Sequence, residues 1–293
     1  IGLDAGQARL VGSAPGNPER YIRDYGISTA GQALGIPASV TISGAAAYNN
    51  AYEASSVQAF AATGNPALLN VAQVDYVKPE QMQSMEFGFR GKLSRTFTID
   101  AAVYRNDFQD FINTQVVLSP LYGQVGDGGL SVLAIANGDF ETWSSYTNSP
   151  AEISSWGMSI GMATKIFGDF DLSGSYTKSE VEFEQSLYPD FRTNWNTPEH
   201  KLKAQFGNTE LFKNFGFNVA WRYWSEYLWQ ASFGDGMVPE THVIDAQFNL
   251  TVPKWKSTIK VGATNLGGEE YFTAFGSGFI GTQYYISWTA NNF

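Results

Sequence analysis

Two histidines, His200 and His242, are the only imidazoles in the chain. With no cysteine present, they are the main proton shuttles and soft metal ligands it can offer. A Ser-His-Asp site would set one of them against an activated serine, and no G-x-S-x-G elbow occurs. Both precede expected strands, His200 within NTPEHKLK, so a structural surface role is expected. Asp107 and Asp110 in NDFQDF resemble a carboxylate pair, yet their place at a strand end reads as solvated carboxylates. GDGG at 126–129 and FGDGM at 233–237 lack the ligand count of a calcium loop and read as turns. KSEVEFEQ sets Glu180, Glu182 and Glu184 on one face, either in a lumen or on an extended hairpin. No catalytic residue, cofactor or metal is expected, and the chain is not expected to be an enzyme.

Binding is better served. WRYWSEYLWQ at 221–230 and FRTNWN at 191–196 gather aromatic rings, which stack on sugars and apolar solutes alike. Phe191, Trp195, Trp224, Tyr227 and Trp229 are the candidate ligand-binding residues.

The elements that carry these residues have a two-residue rhythm. Met85, Phe87 and Phe89 alternate with Ser84, Glu86, Gly88 and Arg90. The same alternation recurs around Phe97–Val103, Trp156–Met162, Phe170–Tyr176, Leu202–Phe206, Phe215–Tyr223, Ala246–Val252, Ile259–Ala263 and Tyr284–Trp288, about nine strands in all. They read as roughly 10 to 17 residues long, where globular strands usually have 5 or 6, and a tilted strand needs about 9 to 11 to cross a bilayer. Their polar positions hold Gly, Ser, Asp, Lys, Arg and Gln, as a wet lumen requires. Only a closed barrel pairs every backbone N–H and C=O in hydrocarbon. The expected fold is all-β, an antiparallel transmembrane β-barrel. WRYWSEYLWQ then doubles as an interfacial aromatic girdle, with Trp224 on the luminal parity and Tyr227 and Trp229 above the membrane. The inward charges Glu86, Arg90, Lys201, Lys203 and Arg222 can pair with one another or contact a plug, with pairing the default expectation.

Connections alternate in length. Gly91–Ser94, Phe167–Asp169, Asn208–Asn214 and Val252–Lys256 are short, while 113–150, 185–198, 230–239 and 266–278 are long, the asymmetry of periplasmic turns and extracellular loops. SVLAIANGDF would break the alternation as a crossing and reads as a loop-borne hairpin. Residues 1–79 read as an extracellular loop-rich segment with a short helix near Pro66–Asn70, and 80–293 as barrel strands with their turns and loops. This bookkeeping places the C-terminus in the periplasm. A net charge of -10 argues against nucleic acid as a partner.

KPEQMQSMEFGFRGKL followed by FTIDAAVYRNDFQDFI resembles a strand pair of TonB-dependent outer-membrane receptors. YTNSPAEISSWGMSIGMATKIFGDFDLSGSYT, TPEHKLKAQF, VGATNLGGEEYF and GSGFIGTQYYISW resemble later pieces in family order, with a flavour of the Bacteroidetes group. The resemblance runs from about Val77 to Phe293. It implies a barrel of about 22 strands plugged by an N-terminal domain, of which this chain would be about the last nine strands, without the plug. It also implies energy-coupled import of a scarce solute, with the TonB–ExbB–ExbD system acting through the missing plug, outer-membrane lipids around the wall, and in glycan-importing relatives a surface lipoprotein lid. A terminal Phe is the insertion signal of outer-membrane barrels, but Phe293 is out of phase with Tyr284, Ile286 and Trp288, so the signal holds only if a bulge near Thr289–Asn291 restores the phase. Competing readings are a self-contained small outer-membrane barrel acting as enzyme or adhesin, and a scaffold subunit of an outer-membrane complex.

Overall fold

The computed structural model describes residues 9–11, 18–231 and 234–290. Its main sheet has nine strands: β1 (Gln81–Lys92), β2 (Thr98–Gln109), β3 (Ile153–Ile166), β4 (Phe170–Glu182), β5 (His200–Phe212), β6 (Phe215–Trp224), β7 (Thr241–Val252), β8 (Ser257–Thr264) and β9 (Gln283–Ala290). Each pairs antiparallel with its neighbours in sequence, so the sheet is an up-and-down meander, as the alternation predicts. The strands run from 8 to 14 residues, shorter than expected. The closing strand pairs from Gln283 to Ala290 and so contains the whole Tyr284–Trp288 alternation.

Register carries one face around the whole sheet. Phe87 lies opposite Val103 and Val103 opposite Met158, while Ile160 leads through Tyr176 and Leu202 to Tyr223. Phe217, Phe248, Val261 and Ile286 continue the same face. These side chains are turned out, not packed in: Phe87 is 71% exposed, Phe248 53% and Val219 39%. An apolar face on this scale is stable only in hydrocarbon. The opposite face runs Arg90, Asp100, Gly161, Ser175, Lys203 and Arg222 from strand to strand and lines a trough of about 850 Å3. Arg90 Nε donates to Asp100 at 2.6 Å and Arg222 Nη2 to Asp245 at 2.9 Å, so two of the inward charges are paired, with aspartates of neighbouring strands and not with one another.

The short connections narrow to true turns. Phe167 and Gly168 both take positive φ, as do Asn214 and Lys256. The expected turn Asn208–Asn214 is reduced to Lys213 and Asn214, because β5 resumes after a register shift between Asn208 and Phe212. At the other end Thr289 and Ala290 stay in register with Thr258 and Ser257, so no bulge begins there. Asn291 and Phe293 lie outside the described residues, and with them the rest of that expectation.

The buried core is elsewhere. All three hydrophobic clusters found among the described residues belong to a cap built from residues 25–74, 116–143 and their neighbours, at the long-connection end of the wall. Its centre is a hairpin, Ile112–Pro120 with Phe140–Asn148. Arg9–Val11 extends it in parallel, and Phe191–Arg192 and Tyr52–Glu53 tile its other edge. Two expectations change here. SVLAIAN is the helix Leu130–Asn137, with Ser131, Ala134 and Ile135 buried at helical spacing. The segment before Pro79 is also more than loop. It holds the helix Ala54–Thr63, closed by Gly64 in the left-handed region, and a 3-10 turn at Pro66–Leu68. Their alanine- and serine-rich sequences hid the period, because the residues that bury them come from positions 116–135.

Candidate solute-binding cap

Asp190 organises the entry to the cap. The helix Ala54–Thr63 has Glu53 at its N-cap without a capping side-chain bond. Asp190, 135 residues away, supplies that bond: Ser55 N and Oγ donate to its carboxylate at 2.6 and 2.7 Å. The anion sits at the positive end of the helix dipole and satisfies an N–H that the helix leaves open. Asp139 anchors a second serine deeper in, accepting from Ser28 N and Oγ at 2.8 Å and from Tyr122 Oη at 2.9 Å.

Two residues on from Asp190, Arg192 pairs with Asp235 of the hairpin Tyr227–Ala231/Gly234–Val238 and donates to Ala231 O at 3.4 Å. The same loop is sewn to that hairpin by amides. Gln230 N donates to Asn196 Oδ1 at 2.7 Å, Asn196 Nδ2 to Gln230 O at 2.9 Å, and Asn194 N to Gln230 Oε1 at 3.1 Å. Three long connections thus meet around a cavity of about 290 Å3, lined among others by Ser55, Gln58, Gln185, Phe191, Leu228 and Gln230.

The candidate aromatics are divided by this geometry. Phe191 is buried, lies opposite Gln115 across the sheet, and borders both this cavity and a second one of about 450 Å3. Trp195 is half-buried in the same loop, with Nε1 unpaired. Trp224 keeps luminal parity, opposite Lys201 and Thr241, and meets Tyr271 edge-on at 5.5 Å. Tyr227 donates its hydroxyl to Thr273 O at 2.7 Å, and burial pushes its pKa up. It stands 6.4 Å from Trp229, and neither ring borders the two cavities; the hairpin meets only the first of them, with Leu228, Gln230 and Asp235. Gln58, Gln115, Gln185, Gln230 and the Arg192–Asp235 pair gave no signal in sequence, since single amides and charges far apart in the chain carry no motif.

The two histidines face outward at the edge of the apolar band. His200 Nδ1 lies 2.8 Å from Tyr176 Oη, and His242 stacks on Trp221 and Tyr223. Trp156, under the Lys178 ammonium at 4.5 Å, joins the same aromatic belt, as an interfacial girdle requires. Asp107 is engaged by Arg105 at 3.0 Å, while Asp110 turns at positive φ beyond the strand end, so the two make no carboxylate pair.

A bilayer-length meander with an apolar exterior, a polar trough and a folded cap over its long connections defines an outer-membrane β-barrel. The model of the TonB dependent receptor-like β-barrel family matches residues 30–266, and the chain belongs to that family. Among solved structures it is similar to the FrpB iron transporter from Neisseria meningitidis (F3-3 variant), at 12% identity and a TM-score of 0.52, over 73% of this chain and 31% of that one. It is also similar to the FpvAI–pyocin S2 complex, at 10% identity and a TM-score of 0.51, over 73% of this chain and 28% of that one. The chain therefore spans under a third of the length of these structures. No curated protein matches it.

Proposed function

We propose that this chain forms part of the wall and the outer cap of a TonB-dependent importer. A solute is bound at the cap and released through the trough once TonB, driven by ExbB and ExbD, pulls on a plug that fills the lumen. The observation that carries this reading is the division of labour in one chain. The wall turns its apolar side chains outward and its charges inward, while a separately packed cap closes over the long connections. A pore for passive diffusion needs no such cap, and an adhesin needs no polar trough. In this orientation the short turns and the C-terminus face the periplasm and outer-membrane lipids surround Phe87, Phe248 and Ile286. A surface lipoprotein lid would then rest on the cap.

The test uses the full-length protein in intact cells. Uptake across a panel of solutes is compared in paired strains with and without TonB, at equal amounts of protein. The importer reading expects at least one solute whose uptake depends on both the protein and TonB. Uptake that persists without TonB, or no solute that depends on the protein, overturns it.

A further inference from the structure

The four short turns of the wall repeat a pattern that neither the trough nor the cap uses. Each holds a large apolar side chain out in solvent. Leu93 follows β1, Phe167 follows β3, Phe212 ends β5 and Trp255 follows β7, and they are 62, 88, 68 and 64% exposed. Beside them stand Arg95, Lys213, Lys254 and Lys256, all exposed and none in an ion pair among the described residues. The turns set only Asp169 and Glu210 against these four cations, since Asp171 is held by Lys165 at 3.0 Å. We infer that this basic, apolar rim binds the anionic headgroups of phospholipids in the inner leaflet, a placement that rests on the orientation proposed above.

Charge is segregated along the barrel axis. The long connections 113–150, 185–198, 230–239 and 266–278 carry Asp127, Asp139, Glu141, Asp190, Asp235, Glu269 and Glu270 against the single cation Arg192. The short turns reverse that sign in a chain whose net charge is -10. The apolar tips also continue the lipid-facing band. Phe212 lies 6.4 Å from Phe215, which stacks on Phe248 at 5.8 Å. A water-soluble partner would meet the cations but not the rings that run on into hydrocarbon, whereas headgroups lie where that band ends. Rings at headgroup depth, with long basic stems carrying charge out to phosphate, are how side chains suit this layer. Two tips are also kept at a conformational cost. Phe167 and Lys256 take φ of 48° and 46°, a region where glycine or asparagine costs less, as Asn214 shows at its own turn. Turning the chain does not require a ring or a cation at either place.

Native mass spectrometry of the full-length protein released from lipid nanodiscs tests the rim. The discs hold phosphatidylethanolamine mixed with phosphatidylglycerol or with cardiolipin. Both leaflets are alike, so the result does not depend on which way the barrel points. The protein is expected to retain the anionic lipid over phosphatidylethanolamine. Each cation near an anionic surface is worth about fivefold, so Lys254→Gln with Lys256→Gln should cut the preference on the order of tenfold. Adding Arg95→Gln and Lys213→Gln should abolish it. Arg20→Gln with Arg23→Gln removes equal charge beside the cap and should leave the preference intact. Equal retention of both lipids, a preference that survives the fourfold variant, or an equal loss from the cap variant overturns the assignment. Zero-length coupling of the rim lysines to a periplasmic protein's carboxylates, without any lipid preference, would give the surface to an acidic protein instead. TonB-dependent uptake without lipid preference would overturn this surface and leave the importer standing. Lipid preference without TonB-dependent uptake would do the reverse.

Discussion

Arg192 keeps only 7% of its side chain in solvent, and its charge is tolerable there because Asp235 faces it. Removing one member of such a pair leaves the other desolvated and unpaired. Asp235 is 34% exposed, which moderates the loss. Asp235→Ala is expected to lower stability by about 1–3 kcal/mol, read as the shift of a denaturant midpoint. Asp235→Ala in an Arg192→Met background should cost clearly less, because no charge is left behind; equal costs in the two backgrounds would show that the pair is idle. A sharper steric demand falls on Gly123, at positive φ beside the helix Leu130–Asn137. A Cβ there would collide with Ser131 N and the backbone of Leu130, so only glycine fits. At this scale the sequence was partly legible. Phe191 could be picked out as a large ring in a polar loop, whereas Gln115 could not, because its interest lies in what surrounds it.

At the scale of elements, the cap's helices depend on anions brought from outside their own first turns. Ala54–Thr63 borrows Asp190 from another connection, and Leu130–Asn137 uses Asp127, which precedes it. Asp127 accepts from Ser131 Oγ at 2.6 Å and from Gly129 N at 2.9 Å. The Ser131 hydroxyl, helped by backbone N–H groups, holds its carboxyl below the ordinary value of 3.8. A carboxyl whose folded value is depressed contributes fully above its unfolded value and loses that contribution as pH falls through the folded one. The cap should therefore weaken over the acid limb, from about pH 4 downward, and Asp127→Asn should flatten that part of the curve. Circular dichroism of both proteins across that range measures it, and an unchanged acid limb in the variant would remove Asp127 from the account. The strands were readable because their partners are sequence neighbours and the period is two. The helices were not, since each hides its buried face against residues dozens of positions away.

Across the whole molecule, burial is inverted relative to a water-soluble protein. Most of the wall's large apolar residues are exposed, and the buried hydrophobic clusters belong to the cap, with a few wall residues such as Ile153 and Val243 buried beside it. β1 and β9 each pair on one edge only among the described residues. In hydrocarbon every unpaired edge group costs several kcal/mol, so these edges must meet further strands, as expected of a wall that matches under a third of larger barrels. The absence of native cysteine makes sidedness directly measurable. Leu187→Cys, on a long connection, and Phe167→Cys, at a short turn, are both highly exposed. A membrane-impermeant maleimide is expected to label Leu187→Cys on intact cells and Phe167→Cys only after the outer membrane is opened. The opposite pattern would invert the barrel.

The linear chain determined the wall: a two-residue rhythm in segments of near-bilayer length dictates which side chains meet lipid and which meet water, whatever lies beyond. Only the tertiary structure decided the cap and its cavities. Gln115, Asp190 and Arg192 owe their roles to helices and hairpins that pack across 39 to 135 residues of sequence, and no local pattern encodes a contact made at that distance.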